Sequence, residues 1–328
     1  MSNIWRKLRR RVLTPSMTET KLATRGFHEK SPEARELLET VGEMFLTGYA
    51  YAAESKHVEE AVDRLEQLPV RFRGFAYEGA GMGFAMRDGL PFGGTLCEKF
   101  LATEKGQEHV YIIYVGIGWA LARLPRMRWA KATAATTDPL LRWLVLDGYG
   151  FHQAYFHTTK YVEEQYEEPG FPWPGGVAAN YSSRVVDQGI GRAMWFIAGS
   201  DADLCATMIE KFDPARRGDL YAGTGLAATY AGGAQEDELS VLWERAGEHR
   251  GSLAQGAAFA AECRVHADLV IPHTELASRF FCGTTAVAAA AVTDHARPTP
   301  VLDSDVPAFE VWRHAIAAGF ANHTGVRS

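Results

Sequence analysis

The sequence predicts an all-α fold in which helix pairs stack on one another, an α-solenoid-like array of about seven glycine-rich units. Two observations predict this fold. Short segments that share one pattern of small residues recur seven times, at separations of 31 to 41 residues. Between them lie stretches whose apolar residues recur every three or four positions, which is typical of amphipathic helices.

Each glycine-rich segment begins with a lead glycine, followed by a small residue two positions later and usually another four positions later. In a helix, residues four apart share one face, and small residues there let two backbones approach closely. An interior glycine costs a helix roughly 1 kcal/mol relative to alanine, so its recurrence predicts close contact with another helix or with a ligand. The lead glycines are Gly48, Gly79, Gly116, Gly148, Gly189, Gly223 and Gly256.

The same spacing also fits a strand, because small residues at every second position share one face of a sheet. The segment "HVYIIYVGIGW" (109–119) is rich in β-branched and aromatic residues, which favour strands. An α+β fold with glycine-rich strands is therefore the alternative. We favour helices because alanine and glycine are depleted in strands, and "LAQGAAFAAECRV" (253–265) is helical in character throughout.

The stretches between the glycine segments complete each unit. Amphipathic helices are predicted for "SKHVEEAVDRLEQL" (55–68), "DADLCATMIEKF" (201–212) and "DELSVLWERAGE" (237–248), the last two beginning with an aspartate in capping position. The proline- and glycine-rich "EEPGFPWPGG" (167–176) predicts a loop, either a plain surface loop or a lid.

Three parts of the chain follow from this pattern: a basic N-terminal arm (1–24), a helical-repeat domain (25–295) and a C-terminal linker and helix (296–328). The arm begins "MSNIWRKLRRRVL" and lacks the apolar core and cleavage site of a signal peptide. It is interpreted either as a solvated arm or as a contact for an anionic membrane surface or an acidic partner.

Composition narrows the functional class. The 328 residues carry a net charge of −6, which argues against nucleic acid as a partner. The four cysteines lie far apart, so reduced thiols in the cytoplasm are expected rather than disulfides or a zinc knuckle. No metal-binding motif and no phosphate-binding glycine loop is recognisable, and no cofactor is identifiable.

One position breaks the repeat. Four residues after the lead glycine, six segments have a small residue and the seventh has His152. This imidazole is either a core histidine bonded to a neighbour or a group that moves a proton inside an apolar groove. Asp147 and Glu78, each just before a lead glycine, are the acid/base candidates that accompany it.

The remaining candidates would line a binding surface. Aromatic residues are dense between positions 149 and 173, which suggests a groove for a flat, apolar, conjugated ligand, or simply core. Polar residues before the lead glycines form either a polar strip or structural ties to arginines of neighbouring units. The ligand-binding candidates are Tyr149, Phe151, Tyr155, His157, Asp187, Gln188, Gln255 and Trp119.

Several phrases of the chain resemble the UnbL-type proteins of enediyne biosynthesis, among them "FRGFAYEGAGMGFA", "YVGIGWALARLPR", "DQGIGRAMW" and "LAQGAAFAAECRVHA". The most specific is "LVLDGYGFHQAYFHT" (144–158), and the resemblance spans roughly residues 25 to 315. It offers no established catalytic residue to carry over.

The resemblance implies a role in enediyne antibiotic clusters, mostly of actinomycetes, beside an iterative polyketide synthase and UnbV-type and UnbU-type proteins. The expected ligand is a linear polyene or a modified polyene on its way to the enediyne core. The chain would be an enzyme or enzyme subunit in polyene unsaturation or cyclisation. The alternative is a non-catalytic scaffold or carrier that links the synthase to a membrane partner. The expected location is the cytoplasm, with contact to the inner membrane face as a further expectation.

Overall fold

The computed structural model describes residues 3–91, 93–173, 181–301 and 306–320. Within these residues the chain forms eighteen α-helices and no strand, so the predicted all-α class is confirmed. The helices are α1 (Asn3–Leu13), α2 (Leu22–Arg25), α3 (Pro32–Glu54), α4 (Val58–Leu65), α5 (Val70–Gly89), α6 (Leu96–Leu101), α7 (Glu104–Glu108), α8 (Val110–Leu121), α9 (Trp129–Ala132), α10 (Leu144–Phe156), α11 (Ser182–Ile197), α12 (Ala202–Ile209), α13 (Pro214–Tyr230), α14 (Glu236–Ala246), α15 (Arg250–His266), α16 (Pro272–Cys282), α17 (Ala286–His295) and α18 (Ala308–Gly319).

The alternative with glycine-rich strands is wrong. The most strand-like segment, "HVYIIYVGIGW", lies in α8, whose residues from Ile112 to Leu121 are all buried. Burial on every side removes the alternation of polar and apolar residues, so a short apolar run does not distinguish a strand from a core helix. Packing of α8 between other helices overrides the local preference of its β-branched residues.

Two compact units divide the chain. The first comprises the chain up to Gly26 together with Glu39–Tyr149, and the second comprises Phe27–Leu38 and the chain from Gly150 onward. The boundaries fall inside α3 and inside α10, so each of these helices contributes to both units. The sequence analysis predicts no boundary at either place.

Neighbouring glycine-rich helices pack backbone to backbone. In the first unit, a methyl group on Gly116 of α8 would collide with the carbonyl oxygen of Glu78 in α5. In the second unit, a methyl group on Gly223 of α13 would collide with the carbonyl oxygen of Gln188 in α11. The predicted close contact is therefore contact between helices.

One register describes these contacts in both units. A lead glycine lies on the carbonyl of the residue just before the lead glycine of the preceding helix. The second glycine of each segment, two positions after the lead glycine, contacts the following helix. There it lies on the carbonyl of the residue that stands three positions before that helix's own lead glycine. Further lead-glycine pairs are Gly148 on Val115 and Gly256 on Ala222. Pairs of the second kind are Gly81 on Ile113, Gly118 on Val145, Gly150 on Val186, Gly191 on Leu220 and Gly225 on Leu253.

The register corrects the assignment of Gly48 as a lead glycine. Gly48 of α3 lies on the carbonyl of Ala76, three residues before Gly79, so it occupies the second glycine position. Gly79 in turn lies on the carbonyl of Phe45. The lead position of α3 is therefore Leu46. Because α3 has no glycine at that position, the sequence pattern placed the start of this segment two residues too late, at Gly48.

Three arginines that stand six residues before a lead glycine donate hydrogen bonds to carbonyls at or near the C-terminal ends of the intervening helices. Arg73 donates to the carbonyl oxygen of Glu66 at 2.8 Å, just after α4. Arg217 donates at 2.7 Å to the carbonyl of Glu210, which lies just after α12. Arg250 donates at 2.9 Å to the carbonyl of Trp243 in α14. A guanidinium is favourable there because the last carbonyls of a helix lack partners and carry the negative end of its dipole.

The ends of the chain are also helical where the structure describes them. Residues 3–24 of the predicted arm form α1, a 3₁₀ turn at Met17–Thr20 and most of α2, all within the first unit. The predicted C-terminal helix is α18, whereas residues 302–305 and 321–328 lie outside the described residues. The loop at 167–176 is non-helical over 167–173, and its last three residues lie outside the described ranges.

The helices were compared with the length and hydropathy that a bilayer requires. Among the described residues, no single helix is long and apolar enough to cross one. Only α16 and α17 taken together pass that test of length and composition, as a pair bent by 60°.

Helix α13 offers a direct test of the backbone contact. We expect Gly223→Ala to lower the free energy of unfolding by about 3 kcal/mol or more, because the helices must separate to admit the methyl group. Gly218→Ala in the same helix is the matched control, since its added carbon would lie 3.5 Å from its nearest neighbours. The control should be neutral or stabilising by up to about 1 kcal/mol, because alanine favours the helix. Urea unfolding measures both, and equal effects of the two substitutions would contradict the packing described.

Candidate functional site

The second half of α10 carries the aromatic side chains that the sequence singled out. We call the set Phe27, Phe151, His152, Tyr155, Phe156 and Phe196 the aromatic cluster; all six belong to the second unit. Phe151 stacks on Tyr155 with ring centroids 5.8 Å apart and meets Phe196 edge-on at 5.4 Å. Tyr155 meets Phe27 edge-on at 5.0 Å. These are the offset and T-shaped geometries that the charge distribution of aromatic rings favours.

His152 lies inside this cluster. Only 6% of its surface is exposed, and its ring centroid is 4.6 Å from that of Phe156. Phe156 is partly exposed, whereas the other rings of the cluster are buried. The imidazole is therefore buried beside an aromatic ring rather than exposed to solvent, and the ring it contacts, Phe156, is itself partly exposed.

A cation borders the cluster. Arg192 of α11 is buried, and its guanidinium carbon lies 5.0 Å from the ring centroid of Phe151. A guanidinium over an aromatic face is attractive, more so when both are removed from water. The cluster therefore combines apolar rings with one imidazole and one permanent positive charge.

The acid/base candidates Glu78 and Asp147 belong to the first unit. The carboxylate of Glu78 accepts a hydrogen bond of 3.0 Å from the indole N–H of Trp119, whose ring packs on Phe45 with centroids 4.4 Å apart. Asp147 is buried and precedes His152 by five positions in α10. Five residues rotate a helix by about 140°, so α10 directs these two side chains to different faces.

Two other ligand-binding candidates are not part of the aromatic cluster. Tyr149 belongs to the first unit and meets Trp129 edge-on, with ring centroids 5.7 Å apart. His157 follows the end of α10, and its side chain is exposed. Of the predicted residues, His152, Phe151 and Tyr155 belong to the aromatic cluster.

The polar candidates of the second unit are tied to arginines. Asp187 of α11 binds Arg216 of α13 through two contacts of 2.6 and 2.9 Å. Burial raises the pKa of Asp187 to about 6, and the charge of Arg216 opposes that shift. The side-chain oxygen of Gln255 in α15 accepts a hydrogen bond of 3.0 Å from the guanidinium of Arg313 in α18. The side chain of Gln188 donates to a carbonyl of its own helix. The interpretation of Asp187 and Gln255 as structural ties to arginines therefore agrees with the structure.

Arg313 is the centre of a buried polar network. It contacts Asp219 at 2.7 Å, Glu310 at 2.9 Å and the hydroxyl of Tyr181 at 3.2 Å. Arg184 pairs with the other oxygens of the same two carboxylates, at 2.8 Å to Asp219 and 2.6 Å to Glu310. Burial works to raise the pKa of Glu310, but Arg313, Tyr181 and Arg184 together hold it below its ordinary value.

The sequence analysis missed this network, although a signal for it exists. In α18 the buried residues Phe309, Trp312 and Ile316 form one face, and Arg313 belongs to the same face. A charged residue in the apolar stripe of a helix requires a buried partner. That argument, applied to Arg313, would have predicted carboxylates from neighbouring helices.

The four cysteines are buried, and the candidate metal ligands among the described residues are dispersed. Burial raises the pKa of the Cys205 thiol to about 12, which disfavours a thiolate nucleophile. Among the described residues, no three histidine, cysteine or acidic side chains converge as metal ligands would.

The comparisons with known proteins place the chain in a family. The family model described as "Protein of unknown function (DUF1702)" matches residues 4–320, so the chain belongs to the DUF1702 family. No curated protein and no solved structure matches the chain.

The buried network predicts a distinct dependence of stability on pH. We expect Glu310→Gln to lower the free energy of unfolding at pH 7 by about 3–5 kcal/mol, because two guanidinium groups lose their shared carboxylate. The pKa of Glu310 is lower in the folded state than its ordinary 4.5, so its contribution is complete above that pH and is lost as the pH falls through the folded-state value. The difference between variant and wild type should therefore shrink in acid.

The control for this measurement is Glu248→Gln, since Glu248 is highly exposed and should change stability by less than about 0.5 kcal/mol. Urea unfolding at a series of pH values measures both variants. A Glu310→Gln protein as stable as wild type at pH 7 would show that the network does not stabilise the fold. A loss that persists undiminished in acid would show that the ionised carboxylate of Glu310 is not the source of the stabilisation.

Proposed function

We propose that this DUF1702 protein acts in the cytoplasm in enediyne biosynthesis, where it binds a linear or modified polyene at the aromatic cluster. The observation that carries the proposal is a buried imidazole in contact with the ring of Phe156, which belongs to a cluster of five aromatic rings, inside the segment that most resembles the UnbL-type proteins. Aromatic faces and edges suit a flat, conjugated, apolar chain, because both are planar and poorly hydrated. Phe156, as the partly exposed ring, is the side chain whose rotation would admit the ligand.

His152 is the proposed proton carrier. An imidazole changes protonation near neutral pH and can take a proton from a carbon beside the conjugated system and return it elsewhere on the chain. Such transfers accompany rearrangement and ring closure of a polyene without a change of oxidation state, which fits an enzyme or enzyme subunit in polyene cyclisation. Glu78 and Asp147 are not assigned to this step, because α10 turns Asp147 away from His152 and Glu78 is bonded to Trp119.

The fold proposed for this function is an array of stacked helix pairs. The shared glycine register supports it, as do equivalent contacts in the two units. Tyr77, two residues before its lead glycine, donates to Glu66 after α4 and stacks on His109. Tyr221 holds the corresponding position in α13 and stacks on His249 in the same way, while its hydroxyl donates to the carbonyl of Arg245 within the last turn of α14. These equivalences favour repetition of one structural unit.

A scaffold or carrier is the second candidate, and one observation favours it. The small-residue stripes are occupied by neighbouring backbones, so they do not line the groove that the enzyme hypothesis first suggested. Repeat arrays commonly bind partners on their outer surfaces. As a scaffold or carrier, the protein would bind a polyene without changing it and would link the synthase to UnbV-type or UnbU-type proteins.

A polyene probe tests binding. We expect a conjugated tetraene fatty acid, whose fluorescence rises in apolar surroundings, to bind the wild-type protein saturably. Phe151→Leu keeps most of the side-chain volume but removes two ring–ring contacts, and should weaken binding by about tenfold. His157→Ala, at an exposed position just after α10, is the control and should bind as wild type does. No saturable binding, or equal binding by all three proteins, would refute the proposed site.

Isotope exchange then separates the enzyme from the carrier. In heavy water the wild-type protein should place deuterium on the bound polyene, detected by mass spectrometry, and His152→Ala should abolish that exchange while it still binds the probe. Binding without any exchange by the wild type would favour the carrier. Circular dichroism and thermal unfolding check that each variant folds.

A further inference from the structure

Helix α1 is held against its unit by arginines. The guanidinium of Arg6 donates to the carbonyl oxygen of Glu54 at 2.9 Å. Arg9 donates to the carbonyls of Ala53 at 2.5 Å and Ser55 at 2.9 Å. These oxygens end α3, where unpaired carbonyls and the helix dipole attract positive charge. The side of α1 that carries Arg6 and Arg9 therefore faces the protein.

The apolar side of α1 consequently faces outward. Ile4, Trp5, Leu8 and Val12 are 78%, 62%, 44% and 71% exposed. At 100° per residue they span an arc of about 100° on one face. An amphipathic helix on a protein surface ordinarily buries its apolar stripe and exposes its charges, so α1 has the reverse orientation. A contiguous exposed apolar face of this kind marks an interaction surface.

Positive charge borders the apolar face. Lys7 and Arg11 are exposed beside it, and α1 contains five basic residues and no acidic one. Arg87 of the same unit donates to the carbonyl of Ala52, next to the residues that bind Arg9, and adds to the positive charge there. This charge is local, because the whole chain has a net charge of −6.

We propose that α1 binds the surface of an anionic phospholipid bilayer, lying in the plane of the interface. Ile4, Leu8 and Val12 would enter the boundary of the acyl chains, Trp5 would sit at the level of the headgroups, and Lys7 and Arg11 would meet lipid phosphates. The chemistry is that of interfacial helices, which combine buried apolar area with attraction between basic side chains and anionic lipid.

A second copy of the chain fits this face less well. Two copies meeting through α1 would bring together two helices that each carry five basic residues, at a cost in repulsion. A stable protein interface also buries about 800 Å² on each partner, which exceeds what one face of an eleven-residue helix offers. The inference concerns the first unit and does not depend on polyene binding in the second.

Vesicle flotation with the full chain tests the proposal. We expect the protein to float with vesicles of phosphatidylcholine mixed with phosphatidylglycerol, and to do so weakly with phosphatidylcholine alone. Binding should fall as salt rises from about 0.1 M to about 0.5 M, since screening weakens the attraction to the lipid charge.

Matched variants locate the contact. Val12→Glu should weaken binding to the anionic vesicles by at least about tenfold, because it places a carboxylate in the apolar face. Met127→Glu makes the same change at a position that is 84% exposed in the same unit and should have no effect. Lys7→Glu with Arg11→Glu should also weaken binding at least about tenfold, whereas the single reversal Lys211→Glu on the second unit should not.

Each other outcome overturns the proposal. Absence of binding to anionic vesicles, equal binding to both vesicle types, or full binding by Val12→Glu would remove α1 as a lipid contact. Size-exclusion chromatography covers the remaining case: a dimer that Val12→Glu dissociates would show that a second copy occupies this face. Because all substituted positions are exposed, the variants should keep the thermal unfolding of wild type.

Discussion

Contact between helix backbones through glycine is the constraint on which the rest of the structure depends. Where Gly116 or Gly223 lies on a carbonyl oxygen, no side chain larger than hydrogen fits. Such contacts bring Cα–H groups close to carbonyl oxygens, which is weakly favourable and recurs at tight helix interfaces. The loss of helix propensity at each glycine is offset by packing that two ordinary helices could not reach.

This constraint decides where polar side chains go. The carbonyl of a residue just before a lead glycine contacts the next helix. Its side chain therefore projects to the side of this helix–helix contact and needs a hydrogen-bonding partner at that position. Glu78 finds the indole of Trp119, and Gln188 finds a carbonyl of its own helix. In the second unit, the carboxylates of Asp187, Asp219 and Glu310 form ion pairs with arginines at 2.6 to 2.9 Å. These polar residues therefore mainly form structural hydrogen bonds and ion pairs between helices. This is a physical reason to assign them a different role from that of His152.

The fold class could be predicted from the sequence because small residues at helical spacing recur, and that periodicity depends on local geometry alone. The register in α3 could not, since Leu46 stands where the other helices have glycine and only the contact of Gly48 with Ala76 reveals the shift. The repeat marked His152 as the exception to a series of small residues, but it did not specify which side chains His152 contacts. The network around Arg313 joins helices far apart in the chain, so no spacing rule within one segment could show it, although the arginine in the apolar face of α18 gave a partial signal.

The glycine contact also explains how the aromatic cluster is positioned. Gly150, two residues before His152, lies on the carbonyl of Val186 and so fixes the second half of α10 directly on α11. At that separation Phe151 reaches Phe196 and the guanidinium of Arg192, both on α11. The rings are therefore set by a backbone contact, which is stiffer than any contact between flexible side chains. The proposed polyene site would depend on this stiffness, because small errors in the placement of reacting groups cost a large part of the rate of a proton transfer.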